Sequence, residues 1–178
     1  MRKLFLGDLE EEIPEISFAF RAIMLEAAQY CLNFFGHKPG VKLKVTGIFE
    51  KELQLFWNKT TISKAEKKTW QDTKEAARFA AKAIAVLLMK KLTNYDHFER
   101  LYQGLGVDFF ISVEEGLKDN RQLARLEVSG IFEEKKGNRI SDRQRIKKKQ
   151  VEKSDFLGIS VYIVVVELGT PKANIFKK

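Results

Sequence analysis

A chain of 178 residues, 44% hydrophobic and 31% charged, is long enough to build one domain with a sizeable core and needs neither disulfides nor a structural metal to hold it. Its 32 Lys and Arg against 24 Asp and Glu leave a net charge of +8, which favours anionic partners, nucleic acid first and an acidic protein or membrane surface behind it. The longest apolar runs, Ala83 to Met89 and Val161 to Val166, fall far short of a bilayer span, and Leu4-Phe5-Leu6 is too short for a signal-peptide core, so the expectation is a cytoplasmic protein with no membrane partner.

Residues 16–35 show apolar recurrence at Phe18, Ala22, Leu25, Ala28 and Leu32, between Pro14 and Gly36, which predicts a first helix. The one cysteine, Cys31, lies in that run. With no second cysteine and no histidine in a paired context, it reads as a buried small hydrophobe in a reducing compartment rather than a catalytic thiol.

Val41, Leu43 and Val45 alternate with Lys42 and Lys44, and Leu53, Leu55 and Trp57 alternate after Gly47. That period-two pattern predicts a β-hairpin with one buried face. Residues 58–68 are polar and read as a loop. Thr69, followed three positions on by Asp72, gives a helix start for a long alanine-dense helix ending near Leu92, with Ala76, Phe79, Ala80, Ala83, Ile84, Leu87 and Leu88 at core spacing. Residues 93–101 read as a connector. Its His97, like His37 in the earlier loop, reads as a solvated histidine, and no zinc spacing occurs.

Two acids then stand inside apolar runs: Asp108 in Val107-Asp108-Phe109-Phe110-Ile111-Ser112-Val113, and Glu127 in Ala124-Arg125-Leu126-Glu127-Val128-Ser129-Gly130-Ile131. Residues 105–131 read as strand, turn, strand. A carboxylate inside an apolar strand needs a partner to offset its desolvation, and a metal ion, an Arg or a Lys would serve. Arg125, Glu127 and Ser129, two apart, share one strand face.

A charged turn with Gly137-Asn138 follows, then a helix from Asp142 to about Ser154, capped by Ser141. Between Glu134 and Lys153 nine Lys or Arg stand against three acids, so this helix is the first candidate for phosphate contact, through Arg143, Arg145, Lys147, Lys148 and Lys149. Residues 159–167 form a near-continuous Val and Ile run, as in a strand covered on both faces. Residues 172–178 read as a basic tail.

A long helix with Glu75 in its second turn, a strand with Asp108, a strand with Glu127, a basic helix and a buried strand resemble, in that order, the core of the PD-(D/E)XK nuclease superfamily, the fold of many restriction endonucleases and Holliday-junction resolvases. Gly106-Val107-Asp108 resembles the family's glycine-x-aspartate, and Leu126-Glu127-Val128-Ser129 stands where its Glu-x-Lys strand would be. The resemblance covers residues 69–168. It implies an α/β (α+β) fold with a mixed central sheet flanked by helices, a restriction-endonuclease-like core at 61–178, and a helix and hairpin at 1–60 added as an extension or small lobe of one compact domain. It also implies a Mg²⁺-dependent (or Mn²⁺-dependent) nuclease with Asp108 and Glu127 as metal ligands and Glu75 assisting.

The departure is Ser129, where the family has lysine. Either the lysine comes from the following helix, with Lys147 and Lys148 as candidates by position, or the protein keeps the fold as a catalytically inactive nucleic-acid-binding or protein-interaction module. The two acids also have a purely structural reading: Asp108 paired with Arg125 across the hairpin, and Glu127 with Arg78 or a lysine of the basic helix.

Overall fold

The computed structural model describes residues 2–101, 105–113 and 123–178. Among these residues it is an α/β structure, one eight-stranded mixed sheet with four α-helices. The strands are β1 (Arg2–Phe5), β2 (Val41–Gly47), β3 (Lys51–Phe56), β4 (His97–Arg100), β5 (Phe109–Ser112), β6 (Ala124–Ile131), β7 (Val161–Glu167) and β8 (Lys172–Lys177), in the order β1-β3-β2-β8-β7-β6-β5-β4. The helices are α1 (Phe18–Phe34), α2 (Lys64–Thr69), α3 (Thr73–Leu92) and α4 (Ile140–Val151).

Side-chain alternation on the central strands separates two cores. Leu126 and Val128 of β6 and Val164 and Val166 of β7 join the large core built with α1 and α3. Ile131, Ile163 and Val165 join a smaller one with Val151 of α4. Every residue of β7 is buried, as its unbroken apolar run requires of a strand covered on both faces. The alanines of α3 let it approach β6 closely. A Cβ on Gly130 of β6 would lie 2.0 Å from the Ala77 carbonyl oxygen.

The N-terminal hairpin belongs to the same sheet rather than to a separate lobe. β2 pairs antiparallel with β3 and parallel with β8. β8 is the larger correction, since residues 172–177 are not a tail but a strand between β2 and β7. Its Ala173 and Ile175 are fully buried, a period-two signal masked by the lysines at both ends.

Smaller corrections follow from capping chemistry. Residues 58–68 contain most of α2, because Ser63 and Glu66 form a reciprocal capping box. Asp72, not Thr69, caps α3, its carboxylate accepting from the Lys74 and Glu75 N–H groups. Ser141 does not cap α4, which begins one residue earlier. Asp142 accepts from the Arg139 N–H and Glu134 from the Ile140 N–H. The connector before β5 contains β4, whose four residues pair antiparallel with β5. Phe18 at the start of α1 is 67% exposed and takes no part in the core. The turn expected between the two acidic strands lies outside the described residues.

Candidate functional site

Antiparallel pairing sets Phe109 against Leu126 and Phe110 against Arg125. Just before β5, the Asp108 N–H donates to the Leu126 carbonyl at 2.9 Å, which sets its carboxyl within hydrogen-bond reach of Glu127 of β6. The two carboxylates therefore converge. Asp108 is tied down by the Val128 N–H, which donates to its Oδ2 at 2.9 Å, and by Lys82 of α3, whose Nζ lies 2.6 Å from Oδ1. Glu127 is 2% exposed. Its Oε1 accepts from Lys147 Nζ at 2.5 Å and from Gln150 Nε2 at 3.1 Å, both on α4.

Gln150 also donates to the Gly106 carbonyl at 3.1 Å, which fixes the approach to Asp108. Gly106 is required there twice over. Its φ is +72°, and a Cβ would meet the Gln150 backbone oxygen at 2.5 Å.

Burial pushes the Glu127 carboxyl up to about 7. The neighbouring Asp108 charge adds to the rise, and Lys147 opposes it. Glu127 therefore takes up and releases its proton near neutrality, with the Asp108 oxygens beside it.

These groups form the floor of a cleft of about 660 Å³ that follows β6 from Glu127 to Phe132. The first turns of α3 supply Lys74 and Arg78 to its wall; Lys135, Arg143 and Lys147 supply further positive charge. Helical geometry chooses them: Lys74 and Arg78, like Arg143 and Lys147, are four apart and share a face.

The residues expected from the sequence divide accordingly. Asp108, Glu127 and Lys147 meet, and Arg143 lines the cleft. Lys148 instead lies over the Phe176 ring, 3.8 Å from its centroid. Arg145 is exposed and pairs with Asp142 at 3.7 Å, and Lys149 is exposed. Glu75 is not brought to the pair. It sits one position round α3 from the cleft-facing residues and binds Arg78 at 3.3 Å on the surface. Among the described residues, no group of three or more His, Cys, Asp or Glu side chains is placed to hold a metal.

The alternative of an Asp108–Arg125 pair is not what forms. Arg125 shares the face of Glu127 but is buried against the Ile159 carbonyl, Ser154 and Asp155. Glu127 takes a lysine of the basic helix, not Arg78. Neither histidine is fully solvated: in the loop before β2, His37 Nε2 lies 3.1 Å from the Leu168 and Gly169 carbonyls, and in β4 His97 Nδ1 lies 2.9 Å from Asp96.

Lys82 was missed, although the sequence carried a signal for it. It is the one charge in Ala80-Ala81-Lys82-Ala83-Ile84-Ala85, and it lies four and eight positions after Arg78 and Lys74 on the same helix face. A cation in the apolar middle of a helix needs a buried anion, as Asp108 needed a cation.

Among the described residues, no helix is long and apolar enough to cross a membrane. Comparison with family models, with curated proteins and with solved structures returns no match.

Proposed function

We propose that the cleft hydrolyses nucleic-acid phosphodiester bonds with the help of a divalent cation, Mg²⁺ or Mn²⁺, at Asp108 and Glu127. The observation that carries this reading is the convergence of two carboxylates from neighbouring strands on the floor of a cleft walled by Lys and Arg. The order of elements also supports it: α3, then the strands carrying Asp108 and Glu127, then α4 and the buried β7, is the order in which the sequence resembles the PD-(D/E)XK core. On this reading the fold is that restriction-endonuclease-like core, widened by β1, β2, β3 and β8.

The donor set fits the cation. Mg²⁺ takes hard oxygen ligands, keeps several waters and is commonly held by one or two carboxylates. Asp108 and Glu127 supply two, and no third protein ligand is needed. When bound, the cation would offset charge on the reacting phosphoryl group and acidify a water. The chain's own residues do the rest. Lys74, Arg78 and Arg143 hold the strand by its phosphates, a contact without sequence choice. Lys147 brings, from the following helix, the positive charge that Ser129 lacks, and Gln150 orients Glu127. Lys82 holds the Asp108 carboxylate in place.

The test incubates the purified protein with DNA and RNA oligonucleotides plus Mg²⁺ or Mn²⁺, beside Asp108→Asn and Glu127→Gln. Cleavage that both substitutions abolish supports the assignment, and cleavage indifferent to both removes these residues from the chemistry.

One observation favours a second reading, a non-catalytic nucleic-acid-binding or protein-interaction protein: each carboxylate already carries a lysine, so the cluster is charge-balanced without a metal. Calorimetric titration separates the two. Salt-sensitive oligonucleotide binding with no heat from Mg²⁺ or Mn²⁺ selects the binding module.

A further inference from the structure

The cleft does not end in open surface beyond β6. Phe132, the residue after the strand, lines its far end and packs against two aromatics at the end of α1. The Phe132 ring lies 4.7 Å from Phe35 and 5.0 Å from Phe34, centroid to centroid, and Phe34 and Phe35 meet edge to face at 5.3 Å. Phe35 and Phe132 are half-buried against the main core, which fixes the cluster. Phe34 is 54% exposed. Isolated exposed phenylalanines carry no message, and Phe156, 76% exposed, is one of these. Phe34 differs because it lies on a packed aromatic cluster continuous with a cationic cleft.

We infer that Phe34, supported by Phe132, is a stacking subsite for an unpaired nucleobase, and that the cleft therefore takes single-stranded nucleic acid or a single-stranded tail. The inference rests on the phosphate-binding reading of the cleft and names its substrate class. Phosphates alone account for Lys74, Arg78 and Arg143 but give an exposed aromatic face no occupant. A duplex keeps its bases stacked on each other, whereas a single strand offers each base a free π face that an aromatic side chain covers. The spacing suits one strand. Glu127 and Phe132 are five residues apart along an extended chain, about 17 Å, a span that several nucleotides of one strand would follow.

Binding is read without divalent cation, in EDTA, so that it does not depend on cleavage. Three fluorescent probes of equal length, about 12 nucleotides, are titrated: a thymidine single strand, an abasic strand with the same phosphates, and a duplex. The wild type should bind the thymidine strand more tightly than the other two. Phe34→Ala should weaken the thymidine strand by roughly 5- to 150-fold, the range set by loss of one stacked base, and leave the abasic strand unchanged. Phe34→Tyr, which keeps the ring, should retain wild-type affinity, and both variants should keep the wild-type circular dichroism.

An equal loss on the abasic strand, or no loss on either, overturns the stacking subsite while leaving the phosphate cleft standing. Failure of the wild type to bind any of the probes overturns both. Self-association that Phe34→Ala abolishes, with oligonucleotide affinity unchanged, assigns the patch to a second copy of the chain and overturns the subsite.

Discussion

Lys82, in the middle of α3, and Asp108, just before β5, form an ion pair of 2.6 Å with side chains only 11% and 20% exposed. The pair joins the helix to the strand end that carries the candidate site. Removing one partner of a buried pair leaves an uncompensated charge, at about 3–5 kcal/mol. Lys82→Met should therefore cost several times what a surface lysine costs, and Asp108→Asn should relieve part of that loss. A double-mutant cycle by urea denaturation should give a coupling of about 1–3 kcal/mol; additivity would show the pair to be energetically idle.

Glu127 titrates near neutrality because it is buried beside Asp108. Its folded pKa, about 7 against an ordinary 4.5, means that the folded state holds the proton more tightly than the unfolded chain. Its contribution is therefore most favourable below the unfolded value and is lost as pH rises through about 7, by on the order of 3 kcal/mol. The difference in unfolding free energy between wild type and Glu127→Gln, measured from pH 5 to pH 8, should carry that slope. A flat difference would contradict the raised carboxyl.

The same proton must leave for Glu127 to act as an ionised ligand. Divalent-cation affinity, and any cleavage that depends on it, should rise with pH up to about 7 and level above it. Calorimetry at pH 6 and pH 8, in buffers of different ionisation heat, should show proton release on binding at the lower pH and little at the higher. Affinity independent of pH across this range would place the cation elsewhere.

Of the basic residues on α4, Arg143 and Lys147 line the cleft, while Lys148 covers Phe176 and Lys149 is exposed outside the lining. Arg143→Gln should reduce oligonucleotide affinity and lower the salt dependence by about one phosphate contact. Lys149→Gln should leave both nearly unchanged. Equal effects from the two would mean that the helix binds through its outer face.

Gly130→Ala should be strongly destabilising, because the new methyl would sit 2.0 Å from the Ala77 carbonyl oxygen. The methyl is fixed to the β6 backbone and the oxygen belongs to the α3 backbone, so neither has room to relax between packed elements. The expected cost is about 3 kcal/mol or more, a fall in Tm of roughly 6–12 °C for a chain of this size. Likewise, truncation after Leu168 removes β8 from between β2 and β7 and should abolish cooperative unfolding, as loss of a disordered tail would not.

Local chemistry made much of this protein legible in one dimension. The period of α1 and α3, the alternation of β2 and β3, the apolar run of β7 and the anomaly of Asp108 and Glu127 each depend on a few neighbouring residues and on the cost of burying or exposing them. The basic character of α4 was equally plain. Which of its lysines mattered was not, because three consecutive lysines point in three directions and only the packing of α4 on β6 and β7 turned Lys147 toward Glu127. Lys82 and β8 were hidden for a related reason. The sequence shows that a lysine stands among alanines, or that Ala173 and Ile175 alternate with polar residues, but a buried charge is explained by a partner 26 positions away, and a short strand by the two strands it lies between. Convergence of the carboxylates belongs to the same class: the chain determines that each acid needs a partner, and only the approach of the residues before β5 to β6 decides that they need it at the same place.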